Sequence, residues 1–241
     1  MQNERDEIIK IGEQTLVIAG MATMPSRLAS FEVAINSVLP QVDHLFLFLD
    51  RFETPYVSGD PRVTVLTSDT FGDLRANGKL MGLNMAGPDA YYFCLDDDID
   101  YPPDYVSRML QFLSNNDNRI VAGVHGSTLI PDFKNYLTDR AILHRSQALD
   151  QASRMHIAGT CTAAFHTELL QFDVRRWNTT NMVDLNFALE CKRRNIPIVS
   201  IPRSKGWVKC IEEHQPDSIF TSLKKDDTEQ TRLARILMSD S

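Results

Sequence analysis

The sequence predicts an α/β fold in which a mostly parallel sheet is flanked by helices. Short segments of unbroken apolar residues alternate with segments of helical periodicity along most of the 241 residues. Strands buried on both faces lack a polar-apolar alternation, and parallel neighbours need a helical connection between them. Ligands of such sheets bind beyond the carboxyl ends of the strands. Polar residues that directly follow an apolar run are therefore candidates for a functional site.

The first half of the chain contains four apolar runs and the helices that connect them. The runs predicted as strands are 15–22, 43–50, 62–68 and 91–95. Apolar residues at helical spacing between Leu28 and Val38 predict the first helix, and Pro40 ends it. A helix weakened by two glycines is predicted over 73–86. Pro103 begins the helix that follows the fourth strand.

The second half of the chain is less regular. Its predicted strands are 119–126, 196–202 and 206–212, and its predicted helices are 182–195 and 226–239. The segment 127–155 lacks a clear period and is interpreted as a loop or an insertion. In the terminal helix, the spacing of Leu233, Ile236 and Leu237 predicts that these three side chains turn toward the core.

The composition is that of a globular protein with an acidic balance. Lys and Arg number 25 and Asp and Glu number 32, so the formal net charge is −7. Nonspecific binding of nucleic acid needs a basic face, so nucleic acid is not expected as a partner. The four cysteines form no CxxC pair and are expected to be reduced thiols.

No signal sequence and no membrane-spanning segment is predicted. The first fourteen residues are mostly polar and charged, and the apolar stretches are of strand length. A membrane helix needs roughly 20 apolar residues. We therefore expect a cytoplasmic protein, and peripheral contact with the inner face of the membrane stays open.

Three adjacent carboxylates end the fourth strand, in the segment YYFCLDDDIDYPPDYV. Asp96, Asp97 and Asp98 repel one another, and burying them is costly unless something pairs with them. One interpretation is a solvated acidic turn that caps the next helix. The other is a site for a divalent cation and a ligand that brings negative charge. Asp50 ends the second strand in the same way, and the two acidic positions are expected to converge.

Five segments between residues 15 and 202 resemble the GT-A fold glycosyltransferases, above all the inverting enzymes of family 2. MATMPSRLASFEVAINSVLPQ is similar to that family's opening strand, Arg-bearing turn and first helix. LFLFLD is similar to its second strand, and GDLRANGKLMGLNMA to its Gly/Lys segment. The acidic segment quoted above is similar to its DxD strand, and NMVDLNFALECKRRNIPIVSIP to the helix and strand that carry its catalytic base.

The resemblance implies a set of residues that hold a nucleotide sugar. Asp50 would contact the nucleotide base, and Asp96 would face the ribose. Arg27, Asp73 and Lys79 would help to hold the nucleotide sugar. A UDP-sugar is the favoured donor.

The resemblance also implies a metal site and a catalytic base. Asp98 would bind a divalent metal, Mn²⁺ or Mg²⁺, with His214 as a further ligand. Asp97 is assigned to the nucleotide sugar, although three acids in a row leave open whether Asp97 or Asp98 is the main metal ligand. Asp184 would be the general base that accepts a proton from the acceptor hydroxyl.

Two features depart from the family pattern. The family usually has Glu-Asp at the base position, whereas this chain has Val183 before Asp184. The QxxRW motif of processive members is absent after Asp184, and VRRW at 174–177 precedes it. The second departure favours transfer of a single sugar over processive polymerisation.

The function implied by the resemblance is metal-dependent, inverting transfer of one sugar to a hydroxyl of a glycan or glycolipid, such as a bacterial-type surface polysaccharide. We expect a single GT-A domain over 1–241, with a nucleotide-binding half at 15–125 and an acceptor and catalytic-base half at 126–241. The length is near the minimum for this fold, so the chain is also interpretable as part of a longer enzyme. Two alternatives stay open: a sugar nucleotidyltransferase, and a non-catalytic protein that binds nucleotide sugars on the same fold.

Overall fold

The computed structural model describes residues 15–54, 56–211 and 226–239. Its strands are β1 (Leu16–Thr23), β2 (His44–Leu49), β3 (Val63–Thr67), β4 (Ala90–Asp96), β5 (Ile99–Asp100), β6 (Val121–Gly123), β7 (Gly126–Leu129), β8 (Arg140–Leu143), β9 (Ser153–Met155), β10 (Ile157–Ala158), β11 (Thr162–His166), β12 (Ile198–Ser200) and β13 (Lys209–Cys210). Its α-helices are α1 (Leu28–Val38), α2 (Ser68–Phe71), α3 (Tyr105–Ser114), α4 (Val183–Arg193) and α5 (Thr228–Met238). Short 3₁₀ helices cover Pro25–Arg27, Leu39–Gln41, Arg75–Asn84 and Val174–Arg176.

Eight strands of the described chain form one sheet, in the order β3-β2-β1-β4-β11-β6-β12-β9. Strands β3, β2, β1 and β4 are mutually parallel, as their unbroken apolar runs predict. Strand β11 runs antiparallel to both β4 and β6, whereas β12 is parallel to β6. The expected α/β fold with a mostly parallel sheet and flanking helices is confirmed.

The two faces of the sheet pack against different helices, and β2 shows why its sequence is apolar throughout. Leu45 and Leu47 are fully buried against α1 and α3 on one face. Phe46 and Phe48 point to the other face, where they pack among residues of the 3₁₀ helix Arg75–Asn84. Since both faces of the sheet are covered, side chains that point to either face make apolar contacts, and the strand therefore has no polar-apolar alternation.

The segment 127–155, expected as a loop or an insertion, contains most of a second, smaller sheet. Strand β7 pairs antiparallel with β8 on one side and with β10 on the other. Strand β9 from the same segment joins the edge of the large sheet beside β12. These strands have four residues or fewer, which is too short for a period to be recognised.

Strand β11 has no counterpart among the sequence-based predictions, although all five of its residues are buried. It lies in the middle of the large sheet, where it joins the parallel half to β6. Its sequence, TAAFH, has neither a strong apolar run nor an alternation. Only the pairing with β4 and β6 makes this segment a strand, so propensity alone did not reveal it.

The predicted helix over 73–86 is a 3₁₀ helix over Arg75–Asn84 rather than an α-helix. Seven consecutive residues of this helix, from Asn77 to Leu83, are buried beneath the sheet. A Cβ atom on Gly78 would overlap the ring of Phe48. The glycine therefore serves close approach of the helix to β2, and it brings Lys79 to the sheet.

The terminal helix α5 confirms two of three predicted inward residues. Leu233 and Leu237 are 5% and 9% exposed, but Ile236 is 44% exposed, so its prediction as a core residue was wrong. Consecutive residues on a helix differ by about 100° in direction, and here the apolar stripe includes Leu237 and excludes its neighbour. Within the described ranges, no helix is long and apolar enough to cross a membrane.

Candidate active site

The carboxyl ends of β1, β2 and β4 meet at one edge of the large sheet. Ala22 on β1 is paired with Asp96 on β4, and Thr23 with Leu49 on β2. The backbone N–H of Asp50 donates to the carbonyl oxygen of Thr23 at 2.8 Å. The parallel register therefore brings the two acidic positions to the same edge, as the sequence predicts.

Asp96 forms an ion pair with the buried amine of Lys79. Lys79 is 3% exposed, and the attraction of Asp96 opposes the effect of burial so that the pKa of the lysine is raised. The carbonyl of Lys79 accepts a hydrogen bond from the Tyr92 hydroxyl at 2.7 Å, and it lies against Gly20, where any Cβ would overlap it. Contacts with Tyr92 and Gly20 thus hold the backbone of Lys79, whose amine faces Asp96.

Asp97 and its two neighbours lie in different surroundings. Asp97 is buried, and burial raises its pKa to about 7, opposed by the hydroxyl of Thr23. The side chains of Asp96 and Asp98 are 34% and 27% exposed, so they are the acids that a ligand can reach. Asp97 and Asp98 form a turn between β4 and β5, but they do not cap the next helix, because α3 begins at Tyr105, after Asp104, without a side-chain cap.

Asp98 is flanked by two arginines. The Nη1 atom of Arg27 lies 3.6 Å from Oδ2 of Asp98. Burial raises the pKa of Asp98 and the negative charge of Asp96 adds to this, whereas Arg27 and Arg145 oppose it. The backbone carbonyl of Asp98 accepts a hydrogen bond from the N–H of Ile211 at 2.8 Å. The backbone of Asp98 is therefore bound to Ile211, which directly follows β13.

Asp50 and Asp73 belong to one charged group at the end of β2. Arg51 donates from Nη2 to Oδ2 of Asp73 at 3.3 Å, and Nε of Arg75 lies 3.4 Å from Oδ1 of the same carboxylate. Asp50 is 3% exposed, and burial raises its pKa, opposed by Arg51. Its enclosed Oδ1 atom has no hydrogen-bond partner in the described part of the chain. Such an oxygen can accept a hydrogen bond from the N–H of a ligand.

Asp184 lies in the first turn of α4, and two hydrogen bonds from Thr160 hold it. The Thr160 backbone N–H and hydroxyl donate to Oδ1 of Asp184 at 2.9 and 2.6 Å. Burial raises the pKa of Asp184, while these bonds and the positive charge of Lys79 oppose the shift. The charges of Lys79 and Asp96 both act on Asp184, so the acid on α4 lies near their ion pair.

Asp96 and Asp98 suit a divalent cation that is bound together with a diphosphate. Their carboxylates repel each other, because the charge of Asp96 raises the pKa of Asp98, and a shared cation would relieve this. Mg²⁺ bound with a phosphate substrate usually takes only one or two carboxylates and completes its shell with phosphate and water oxygens. In the described part of the chain no three His, Cys, Asp or Glu side chains are grouped to hold a metal. His214, the other predicted ligand, lies outside the described residues.

Three residues at the site were not found by sequence reasoning. Thr160 orients Asp184, and Arg145 acts on Asp98 from the turn after β8. Tyr101 is fully buried, and its hydroxyl accepts from the N–H of Asp96 and donates to the carbonyl of Cys161, both at 2.8 Å. The contact of Tyr101 with Asp96 is local. The other contacts of these three residues join segments that are far apart in the sequence, so no local pattern marks them.

The site consists of two acidic positions at the carboxyl edge of a parallel sheet, a buried lysine beside them and a further acid on a helix. This combination defines a GT-A glycosyltransferase, and comparison with known proteins supports this class. The model of glycosyl transferase family 2 matches residues 49–172, which is over half of the chain. The chain therefore belongs to glycosyl transferase family 2. Membership of this family favours sugar transfer over nucleotidyl transfer. No curated protein matches the sequence.

Among solved structures, the chain is similar to the crystal structure of GalNAc-T7 with UDP, GalNAc and Mn²⁺. The alignment has a TM-score of 0.56 and 10% sequence identity, and it covers 95% of this chain. It covers 56% of the GalNAc-T7 chain, so the present chain spans about half the length of that protein. At this identity the likeness shows a shared fold.

Proposed function

We propose that the protein transfers one sugar from a nucleoside diphosphate sugar, most favourably a UDP-sugar, to a hydroxyl of a glycan or glycolipid acceptor, with inversion at the anomeric carbon. The observation that carries the proposal is the position of Asp184. Its charge interacts with the Lys79–Asp96 pair at the carboxyl edge, although it comes from a helix in the second half of the chain. A donor bound at that edge would have its anomeric carbon between the two halves of the site.

The donor would be bound by the groups that follow β1, β2 and β4. The free Oδ1 atom of Asp50 is enclosed and suits an N–H of the nucleotide base. Asp73 lies beside it, paired with arginines, at the rim. Asp96, held by Lys79, would face the ribose hydroxyls. That GalNAc-T7 was crystallised with UDP supports a uridine donor for this shared fold.

The leaving nucleoside diphosphate would carry negative charge, and the chain offers cations to oppose it. Arg27 lies beside Asp98 at the same edge and could turn to the phosphates. Asp98, with Asp96, would hold a Mn²⁺ or Mg²⁺ ion, which supplies Lewis-acid stabilisation of the departing phosphate oxygen. The presence of Mn²⁺ with UDP in the GalNAc-T7 structure supports a metal of this kind.

Asp184 would act as the general base. As the acceptor oxygen forms its bond to the anomeric carbon, the bond from that carbon to the diphosphate oxygen breaks, and the diphosphate leaves with the electron pair. The acceptor proton passes to the carboxylate of Asp184. The Thr160 bonds fix one oxygen of this carboxylate, so the other is available for the proton. Burial raises its pKa and thereby makes the carboxylate a better base. A single displacement of this kind inverts the anomeric carbon.

Calorimetric titration with nucleoside diphosphates tests the donor site. UDP, GDP, CDP and dTDP would each be titrated with and without Mn²⁺ into the wild type, Asp98→Ala and Asp89→Ala. Asp89→Ala is a matched control, since its exposed carboxylate lies next to the amino end of β4, at the opposite edge of the sheet. We expect Mn²⁺-dependent binding of UDP that is lost only in Asp98→Ala. Absence of metal-dependent binding in the wild type would refute the proposal.

Asp184→Asn separates binding from chemistry. This variant keeps the size of the side chain and the bonds from Thr160, but it removes the base. We expect unchanged affinity for UDP with Mn²⁺ and loss of sugar transfer. Proton NMR of the product would show the opposite anomeric configuration to that of the donor, and retained configuration would contradict the single displacement.

A further inference from the structure

The small sheet carries a cationic face, formed by Arg140 on β8, Arg145 in the following turn, and the rings of His125 and His144. Strands β7 and β8 are antiparallel, and Gly126 is paired with Leu143. His125, just before β7, and His144, just after β8, therefore also lie opposite each other. Their rings are in edge contact with centroids 5.5 Å apart. The protein has a net charge of −7, so a concentration of positive charge here is not a property of its surface in general.

Three nitrogen atoms on this face are enclosed. Nε of Arg140, Nε of Arg145 and Nδ1 of His125 are buried and accept or donate no hydrogen bond in the described part of the chain. Neither guanidinium has a carboxylate oxygen within 4.0 Å there, whereas Arg175 lies 2.8 Å from Asp173. Arg145 also hydrogen-bonds with Cys210, so its unsatisfied donor is the Nε atom. Buried donors without partners are costly, which indicates that a ligand completes the two Nε atoms.

Positive groups surround His125, and none of the charges that act on it is negative. Burial and the charges of Arg145, His144 and Arg140 together lower its pKa to about 4, opposed by a hydrogen bond with the backbone of Leu143. Both arginines therefore lie close enough to one ring to act on it. An anion placed over this ring would be attracted by two guanidinium groups at once.

The turn that carries Arg145 is fixed to the segment after β12. Leu149 and Arg203 exchange both backbone hydrogen bonds, at 2.8 and 2.9 Å, and the N–H of Gly206 donates to the carbonyl of Ser146 at 2.9 Å. The guanidinium of Arg203, which is 4% exposed, donates to the carbonyl of His144 at 3.0 Å. The backbone that carries Arg145 is thus held in place before any ligand binds, which lowers the entropic cost of binding.

Arg140 is held by an aromatic ring that lies near the candidate base. Its guanidinium carbon is 4.0 Å from the centre of the Tyr136 ring, a cation–π contact. Tyr136 is 5% exposed, and burial raises its pKa to about 12, opposed by Arg140, while the charge of Asp184 adds to the rise. The ring of Tyr136 therefore contacts Arg140 and lies within range of the charge of Asp184.

The cationic face is continuous with the residues that orient Asp184. Strand β10 pairs with β7 and leads directly to Gly159, whose N–H donates to the carbonyl of His125 at 2.9 Å. The next residue is Thr160, which holds Asp184. An acceptor lying against the cationic face would therefore be close to the segment that orients the base.

We propose that the acceptor is an anionic sugar, and that its carboxylate or phosphate group is bound by Arg140 and Arg145. This inference rests on the proposed function and narrows its acceptor to one chemical class. Arginine forms paired hydrogen bonds with both kinds of oxyanion, so either group satisfies the site. The anionic group positions the sugar, and the nearby Asp184 receives the proton of the attacking hydroxyl.

Ligand-observed NMR titrations with three monosaccharide probes test this inference. The probes are methyl glucuronide, which has a carboxylate, glucose 6-phosphate, and uncharged methyl glucoside. Each is titrated into the protein with and without UDP and Mn²⁺. We expect at least one anionic probe to bind about tenfold or more tightly than methyl glucoside, since hydrogen bonds between charged groups are stronger than those between neutral ones. The stronger of the two anionic probes identifies the carboxylate or the phosphate.

Substitutions assign the preference to the two arginines. Arg140→Gln and Arg145→Gln should each reduce the preference for the anionic probe about tenfold. Arg140→Lys should retain part of this preference because the charge remains. Arg175→Gln is the matched control, because that exposed arginine pairs with Asp173 away from the face. Equal binding of charged and uncharged probes, no binding of either anionic probe, or a preference that survives both Gln substitutions would overturn the inference.

The same experiment separates this inference from the proposed function. If the wild type fails to bind UDP with Mn²⁺ but still prefers an anionic probe, the glycosyl-transfer proposal fails and the anion site stands. If UDP binds and no preference is found, the donor site stands and the anionic acceptor is wrong. Thermal unfolding of Arg140→Gln and Arg145→Gln confirms that each variant is folded, and UDP binding by Arg140→Gln shows that the donor site is intact.

Discussion

The hydroxyl of Thr160 controls the basicity of Asp184, and Thr160→Val isolates this effect. The substitution preserves the shape of the side chain and the backbone N–H bond at 2.9 Å, and it removes only the 2.6 Å hydrogen bond. Hydrogen bonds to charged groups contribute about 1.5–3 kcal/mol. At about 1.4 kcal/mol per pKa unit, the pKa of Asp184 should rise by roughly 1–2 units in the variant.

The direct measurement is a carbon-13 NMR titration of the Asp184 carboxyl in wild type and variant. A base must be ionised to accept a proton, so the rising acid limb of kcat should move to higher pH by the same amount. Stability provides a readout that does not need a substrate. Because the folded pKa of Asp184 lies above its unfolded value, stability falls as pH rises between those two values, and this fall should be larger in the variant.

Thr167→Val is the matched control for this prediction. Thr167 is also fully buried, and its hydroxyl accepts one hydrogen bond, from the N–H of Ala90 at 3.0 Å, next to the amino end of β4. This variant should lose stability without a change in the titration of Asp184. An unshifted Asp184 titration in Thr160→Val, or an equal shift in the control, would refute the reasoning.

Two further substitutions test how the helix that carries Lys79 is held. Gly78→Ala places a methyl group into the ring of Phe48, so the free energy of unfolding measured in urea should fall by about 1–3 kcal/mol. Gly59→Ala is the control: its methyl group would have no neighbour within 4 Å, so the free energy of unfolding should change by about 0.5 kcal/mol or less. Equal stability of the two variants would show that the helix can move away from the strand. Lys79→Met leaves Asp96 without its cation and should cost about 3 kcal/mol, the lower end of the range for broken buried pairs, because Asp96 still reaches solvent. If Lys79→Met were as stable as the wild type, the charge of Lys79 would serve ligand binding and would not stabilise the fold.

The fold and the edge that carries the site were predictable because both depend on local periodicity. The apolar runs of β1, β2 and β4 lie between two covered faces, so each predicts a strand wherever it occurs. Parallel strands then place their carboxyl ends at one edge, and Asp50 and Asp96 follow from that rule alone. The short strands of the small sheet and β11 were missed, because segments of two to five residues with mixed composition have no period of their own.

The amino-acid sequence by itself determined the class of fold, the edge where ligands bind and the acids present there. The tertiary structure decided which of the three adjacent acids is buried, since Asp97 turns inward while Asp96 meets Lys79. It also decided that Thr160 holds Asp184, and that the Nε atoms of Arg140 and Arg145 are enclosed without a hydrogen-bond partner in the described residues. Periodicity acts over a few residues, whereas each of these contacts joins segments that only packing of the whole chain brings together.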